Sequence, residues 1–168
     1  MDQAAHHEKS RAAFSSVLWS AFLTGIKIWA GVKTGSLGII SEALHSGLDL
    51  MAAGMTFYAV RIAARPADES HPYGHEKIEN LSALAETALL LITCGWIVWE
   101  AIDRLFYNEA EITLTWWAFA VVAVSLLVDV NRSAMLRRVA KKHKSQALEA
   151  DALHFTTDIW SSAVVMLG

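Results

Sequence analysis

The chain has 168 residues, of which 54% are hydrophobic and 18% charged, with a formal net charge of −3. Soluble domains are usually about 45–50% apolar and about 25% charged, and here the apolar excess gathers in blocks of about twenty residues, which excludes an ordinary soluble domain. The lone cysteine, Cys94, excludes a disulfide scaffold, and so small a net charge carries no nucleic-acid signature.

Five apolar blocks follow one another. The first runs from Phe14 to Val32, the second from Leu37 to Val60, and the third from Ile78 to Ile102. The fourth runs from Leu114 to Val130, and the fifth from near Leu148 to Gly168. At about 1.5 Å per helical residue, each of the first four can cross a hydrocarbon core of about 30 Å. The expected fold is therefore all-α: a multispan transmembrane helix bundle. Buried helices of a large soluble core would instead show amphipathic stripes and more polar residues between them. Block one exceeds the apolar core of a signal peptide, about 7–15 residues, and no small-residue cleavage site follows it, so it reads as a retained span.

Before block one, His6 and His7 read as part of a mobile tail. Pro66 and Pro72 both fall between blocks two and three, where a missing backbone N–H suits a loop. Trp96, Trp99, Trp116 and Trp117 cluster near block ends, as in an interfacial aromatic belt. The cationic residues are asymmetric. Lys9 and Arg11, then Arg61, Arg65 and Lys77, then Arg132, Arg137, Arg138, Lys141, Lys142 and Lys144 fall on one side of the membrane. Only Lys33 and Arg104 fall on the other. The positive-inside rule then puts the N-terminus in the cytoplasm and the acidic loop around Glu109 and Glu111 outside. The basic run Arg137–Lys144 fixes topology and can also meet anionic lipid; His143 belongs to it. The chain stops inside an apolar block after an odd number of spans. Residues 1–168 are thus expected to be one transmembrane domain, the N-terminal part of a longer protein.

Ionisable groups inside a span are costly and need a reason. Block two carries Glu42, His45 and Asp49; block five carries Asp151, His154 and Asp158. The spacing is the same in both: an acid, His three residues on, Asp four further. On a helix these offsets share one face. Blocks two and five run antiparallel, so packing the two faces brings His45, Asp49, His154 and Asp158 together at mid-depth. Two imidazoles and two carboxylates complete a tetrahedral shell for Zn²⁺, and cobalt, iron or manganese can use the same donors. An interhelical hydrogen-bond cluster without metal would return only about 0.6–2 kcal/mol per bond, little against desolvating six ionisable groups. Glu42 extends the stripe outward and Asp151 toward the cytoplasm, as supporting partners of the ligands or as steps on an ion path. Lys27, inside block one, is expected to snorkel or to pair with a carboxylate. Small residues in block two, among them Ser46, Gly47, Ala52 and Ala53, allow the close approach that short ligands need. A second constellation, Asp68, His71 and His75, lies in the loop. Pro72 and Gly74 bend the backbone there, and the choice is between a metal site and a solvated turn.

The stretch Gly35-Ser-Leu-Gly-Ile-Ile-Ser-Glu-Ala-Leu-His45-Ser-Gly-Leu-Asp49 resembles the second span of the cation diffusion facilitator family. His71-Pro-Tyr-Gly-His75-Glu-Lys-Ile-Glu79 resembles that family's loop and third span, and Ala150-Asp-Ala-Leu-His154-Phe-Thr-Thr-Asp158 its fifth. The motifs occur in the family's order across essentially the whole chain. The resemblance implies a divalent-cation/proton antiporter that moves metal out of the cytoplasm as a homodimer in a lipid membrane. It implies an intramembrane transport site at His45, Asp49, His154 and Asp158, and a cytoplasmic loop metal site, found in bacterial members, at Asp68, His71 and His75. His at position 45 goes mostly with Zn²⁺ in the family; Fe²⁺, Mn²⁺, Co²⁺ and Cd²⁺ are the alternatives. Glu42 stands where Asp is more usual. Family members have six spans and a cytoplasmic C-terminal domain, so five of six spans are expected here. The loop motif points to a bacterial inner membrane.

Three rivals are separable. A zincin-type enzyme needs His-Glu-x-x-His, and His75-Glu76 lacks the second His, so the chain is expected not to be an enzyme. A membrane metal sensor or assembly factor on the same scaffold would bind metal without moving it. A channel would move metal without needing a proton gradient.

Overall fold

The computed structural model describes residues 3–35, 37–106 and 116–167. It has five helices in chain order: α1 (Gln3–Thr34), α2 (Leu37–Ala63), α3 (Lys77–Phe106), α4 (Trp116–His143) and α5 (Gln146–Leu167). The expected all-α bundle is borne out. Trp116 and Trp117 open α4, but their side chains, like the loop of Glu109 and Glu111, lie outside the described residues.

Two boundaries differ from the apolar blocks by more than ten residues, for one reason. Helix propagation costs little once a packed turn exists, so a helix continues past its apolar stretch where polar residues find partners. α1 begins at Gln3, which corrects the mobile tail: His6 and His7 sit in its first turns. Glu8, one residue on, binds Lys142 at 2.6 Å and His143 at 2.9 Å, fastening this end of α1 to α4. α4 likewise runs on to His143, so Arg132, Arg137, Arg138, Lys141 and Lys142 are helical rather than part of a connection. The connection itself is Lys144 and Ser145. Lys144 takes a left-handed φ of 52°, and the Ser145 N–H donates to the Ala140 carbonyl at 3.1 Å, closing α4.

The α1–α2 connection turns on Gly35, whose φ of 63° a glycine adopts without a Cβ penalty. The two helices then lie very close. A Cβ on Gly31 would stand 2.8 Å from Ile40 Cγ1 and 3.2 Å from the Ile40 backbone nitrogen, whereas one on Gly25 would meet nothing within 4 Å. Gly31→Ala is expected to destabilise the bundle by about 1–3 kcal/mol through overpacking. Gly25→Ala is expected to gain about 0.5–1 kcal/mol from reduced backbone freedom. Thermal unfolding in detergent reads both signs, and equal midpoints for the two variants would remove the close approach as a constraint.

α1 packs on α2 and α4, α2 on α3 and α5, and α4 and α3 also on α5, so α2 and α5 each meet three other helices. Ala12, Ala13, Val60, Leu136, Ala147, Leu148 and Phe155 form one apolar core near the loop end of the bundle. Away from it the burial pattern is inverted. Ser16, Ser20, Lys27, Thr56, Glu86, Arg132, Asp151 and His154 are buried, while Trp29, Leu91, Trp96, Trp99 and Trp160 are more than 60% exposed. A surface of that composition suits hydrocarbon, and an interior of that composition suits ions. Among the described residues, α1 and the Lys77–Trp99 part of α3 are long and apolar enough to cross a membrane by composition alone. The ionisable residues inside α2 and α5 lower the hydropathy of those two.

Candidate metal centre

α2 and α5 bring the two stripes together. His154 Nε2 lies 3.1 Å from Asp49 Oδ1 and 3.5 Å from Asp158 Oδ2. His45 Nε2 lies 3.6 Å from Asp158 Oδ1 and 4.0 Å from Asp49 Oδ1. Each imidazole thus faces both carboxylates, and each carboxylate faces both imidazoles. Donor atoms of His45, Asp49 and Asp158 all lie within 4.8 Å of one another. A tetrahedral ion bonded at about 2.0–2.1 Å sets all its donors about 3.3–3.4 Å apart. The His154–carboxylate separations stand near that distance and the His45 ones are longer. His154 stands outside the mutual group of three, which makes the set looser than a closed tetrahedron. Small buried residues on α2, Ala43, Ser46, Ala52 and Ala53, permit the close approach.

Three polar clusters surround these four residues. On α1, the Lys27 ammonium donates to Ser46 Oγ at 2.7 Å and pairs with Glu42 Oε2 at 3.2 Å; Thr24 donates to the Ser46 carbonyl at 2.9 Å. Lys27 therefore pairs with a carboxylate rather than snorkelling, and it anchors the α2 turn that carries His45. On α4, Arg132 donates to Ser16 at 2.9 Å and Ser20 at 2.8 Å, and lies 3.7 Å from Asp129 Oδ1. Its guanidinium sits 3.6 Å over the Phe155 ring, next to His154. Ser16 in turn donates to Asp151 Oδ2 at 3.0 Å. On α3, Glu86 accepts from Ser82 at 3.1 Å and from Thr56 of α2.

Sequence reasoning missed Glu86, Asp129 and Arg132 as members of this interior. The signal was present for Glu86 and Asp129, each an ionisable residue inside an apolar block. Hydropathy ends block four at Val130, which places Arg132 in a connection.

The loop brings Asp68, His71 and His75 together as well. His71 Nδ1 lies 3.1 Å from Asp68 Oδ1, and His75 Nε2 lies 3.3 Å from Asp68 Oδ2. The two rings stand 4.5 Å apart, and donor atoms of all three residues lie within 4.8 Å of one another. Gly74, at φ 80°, makes the bend. Asp68 Oδ1 accepts from Ser70 Oγ at 2.9 Å, Ser70 N at 3.0 Å and His71 N at 2.7 Å, an Asx-type turn. The Ser70 hydrogen bonds, then the His71 backbone N–H, hold the Asp68 carboxyl down to about 2. A lowered carboxylate stabilises its turn above its ordinary range, and that contribution is lost as pH falls toward 2. Asp68→Ala is therefore expected to speed amide hydrogen exchange at Ser70 and His71 by about tenfold at neutral pH, the loss of about one hydrogen bond's net worth. Unchanged exchange at those two amides would mean that the turn holds without the carboxylate.

A family model described as the cation efflux transmembrane domain matches residues 13–168. The uncharacterized transporter sll1263 of Synechocystis is 36% identical over 144 residues, covering 85% of this chain and 46% of the relative. The magnetosome protein MamB of Paramagnetospirillum magneticum is 32% identical, covering 96% and 56%. The cation-efflux pump FieF of Citrobacter koseri is 30% identical, covering 94% and 52%. The chain spans about half the length of these curated relatives.

Proposed function

The chain belongs to the cation efflux family, and we propose that it is the transmembrane domain of a divalent-cation/proton antiporter that exports Zn²⁺ from the cytoplasm. The observation that supports this most directly is the convergence of His45, Asp49, His154 and Asp158 from two antiparallel helices in a bundle with an apolar exterior. Two nitrogen and two oxygen donors are a set that suits Zn²⁺ best; Fe²⁺, Mn²⁺, Co²⁺ and Cd²⁺ are the competing cargoes. The loop triad, Asp68, His71 and His75, is a second metal site on the cytoplasmic face, beside the N-terminus. The working unit is a homodimer in a bacterial inner membrane.

The mechanism follows from ligand chemistry. An imidazole nitrogen that holds a proton cannot bind metal, and a carboxylate must be ionised to bind it. Metal and protons therefore exclude one another at the four residues. With the site open to the cytoplasm, an arriving cation displaces protons from it. With the site open outward, incoming protons displace the cation. Exchange follows because the site loses one kind of occupant as it gains the other.

The test is Zn²⁺ flux in proteoliposomes holding the whole gene product, with and without a pH gradient, for wild type and His45→Ala. Gradient-driven flux that the variant lacks is the expected result. Equal proton-coupled flux in the variant would remove the site from the mechanism. Zinc bound but not moved by wild type would favour a sensor, and flux indifferent to the gradient a channel.

A further inference from the structure

Among the described residues, three carboxylates are buried in the bundle interior: Glu79, Asp151 and Glu86. Glu79 is paired with Lys9 at 2.5 Å and accepts from Ser145. Asp151 accepts from Ser16, which links it to the Arg132 guanidinium. Glu86 differs from both. It is 1% exposed, and no cation pairs with it among the described residues. Its Oε1 takes the hydroxyls of Thr56 and Ser82, and its Oε2 is buried without a hydrogen-bond partner. The ionisable groups facing it from α5 are Asp151 and His154, both within electrostatic reach; from α2 it meets the Thr56 hydroxyl. Asp151 Oδ1 and His154 Nδ1 are also buried without partners.

A full negative charge in such a place costs several kcal/mol unless a cation or a network of donors offsets it, and two hydroxyls on one oxygen do not do that. A protonated carboxyl removes the charge. One member of the four-residue cluster, His154, is within its electrostatic reach, and that cluster is where a divalent cation would add two positive charges. Within a protein interior such charges act over several ångströms, and they favour the ionised form of a nearby carboxyl.

We propose that Glu86 is a proton-carrying group of the exchange, separate from the metal-binding residues: it holds a proton while the cluster is empty and releases it to the cytoplasm when a cation binds there. The proton returns from the outward side once the cation has left. Glu86 touches none of the four candidate ligands among its hydrogen-bond partners, so its link to the metal is electrostatic rather than coordinative. This inference rests on the antiport reading above.

The test uses the whole protein in liposomes, in weakly buffered medium with a pH indicator, titrated with Zn²⁺. Wild type is expected to release protons as Zn²⁺ binds. Glu86→Gln keeps an oxygen for Thr56 and Ser82 but cannot ionise. It is expected to bind the same number of Zn²⁺ ions and to release about one proton fewer per ion, the share of a single carboxyl. Glu86→Asp is expected to restore the release. Difference infrared spectroscopy on wild type gives a readout that needs no variant: a protonated-carboxyl C=O band should disappear when Zn²⁺ binds. Wild-type protein that binds Zn²⁺ and releases no proton overturns the exchange itself. Wild-type release from Glu86→Gln, or no carboxyl band lost in wild type, overturns only the role of Glu86.

Discussion

Replacing Asp49 with alanine is expected to weaken Zn²⁺ binding inside the bundle by about two to nearly four orders of magnitude. Asp49 Oδ1 is the oxygen nearest to His154 Nε2, at 3.1 Å, and it also faces His45 Nε2 at 4.0 Å. Without it, both imidazoles share the single carboxylate of Asp158. Removing one member of a buried charge cluster costs about 3–5 kcal/mol, which is about a hundred- to several-thousandfold in affinity. Asp49→Asn keeps the shape and a hydrogen-bonding oxygen but gives up the anion, and should be nearly as damaging. The loop triad shares no residue with this cluster. Calorimetric titration of either variant should therefore retain one class of sites, attributable to Asp68, His71 and His75, and lose the other. Retention of both classes with wild-type affinity would mean that Asp49 does not hold the ion. Loss of both would mean that the two clusters are coupled or that the variant has unfolded, which its unfolding transition distinguishes.

The four residues of this cluster were legible from spacing alone. The offsets of three and four between Glu42, His45 and Asp49, repeated by Asp151, His154 and Asp158, fix a helix face, and the cost of ionisable groups in apolar blocks gives the face a purpose. The loop triad was legible as a constellation, because Pro72 and Gly74 announce a bend. What was not legible is how the interior is neutralised. Which cation meets which carboxylate depends on helix rotation and on which helices are neighbours, and no periodicity within one helix encodes that. Lys27 could be assigned a carboxylate but not Glu42 in particular. Arg132 looked like a topological flank because hydropathy ends block four at Val130. Helical structure is set by partners as well as by hydropathy, and α4 continues because its basic residues meet Ser16, Ser20, Asp129 and Glu8. Glu86 belongs to no repeated motif, and its one sequence signal is the cost of an ionisable residue inside block three. The start of α1 shows the same effect: the helix begins at Gln3, eleven residues before its apolar block.

Arg132→Met is expected to be the most destabilising single change in the bundle away from the candidate metal centre, at about 3–5 kcal/mol. Methionine fills much of the same volume, so packing changes little; what disappears is the guanidinium. Two hydrogen bonds to α1 are lost, at 2.9 Å to Ser16 and 2.8 Å to Ser20, together with the 3.7 Å contact to Asp129 and the 3.6 Å stack on Phe155. Asp151, fully buried, would then keep its Ser16 hydroxyl but lose the cation behind it. Arg132→Lys is expected to recover only part of the loss. An ammonium supplies the charge, but it cannot fork to two serines and stack on a ring at once. The unfolding order in detergent should therefore be wild type above Lys above Met. A cycle with Asp151→Asn locates the cause. If Arg132 acts by neutralising Asp151, the double variant with Met will be less destabilised than the two single changes added together, by about 0.5–3 kcal/mol. Strict additivity would place the stabilisation in the serine bonds and the Phe155 stack. Arg132 would then act as a clasp between α1, α4 and α5 rather than as the counter-charge of the acid one turn below His154. A loss of under about 0.5 kcal/mol in Arg132→Met, the range of an ordinary surface change, would refute both roles.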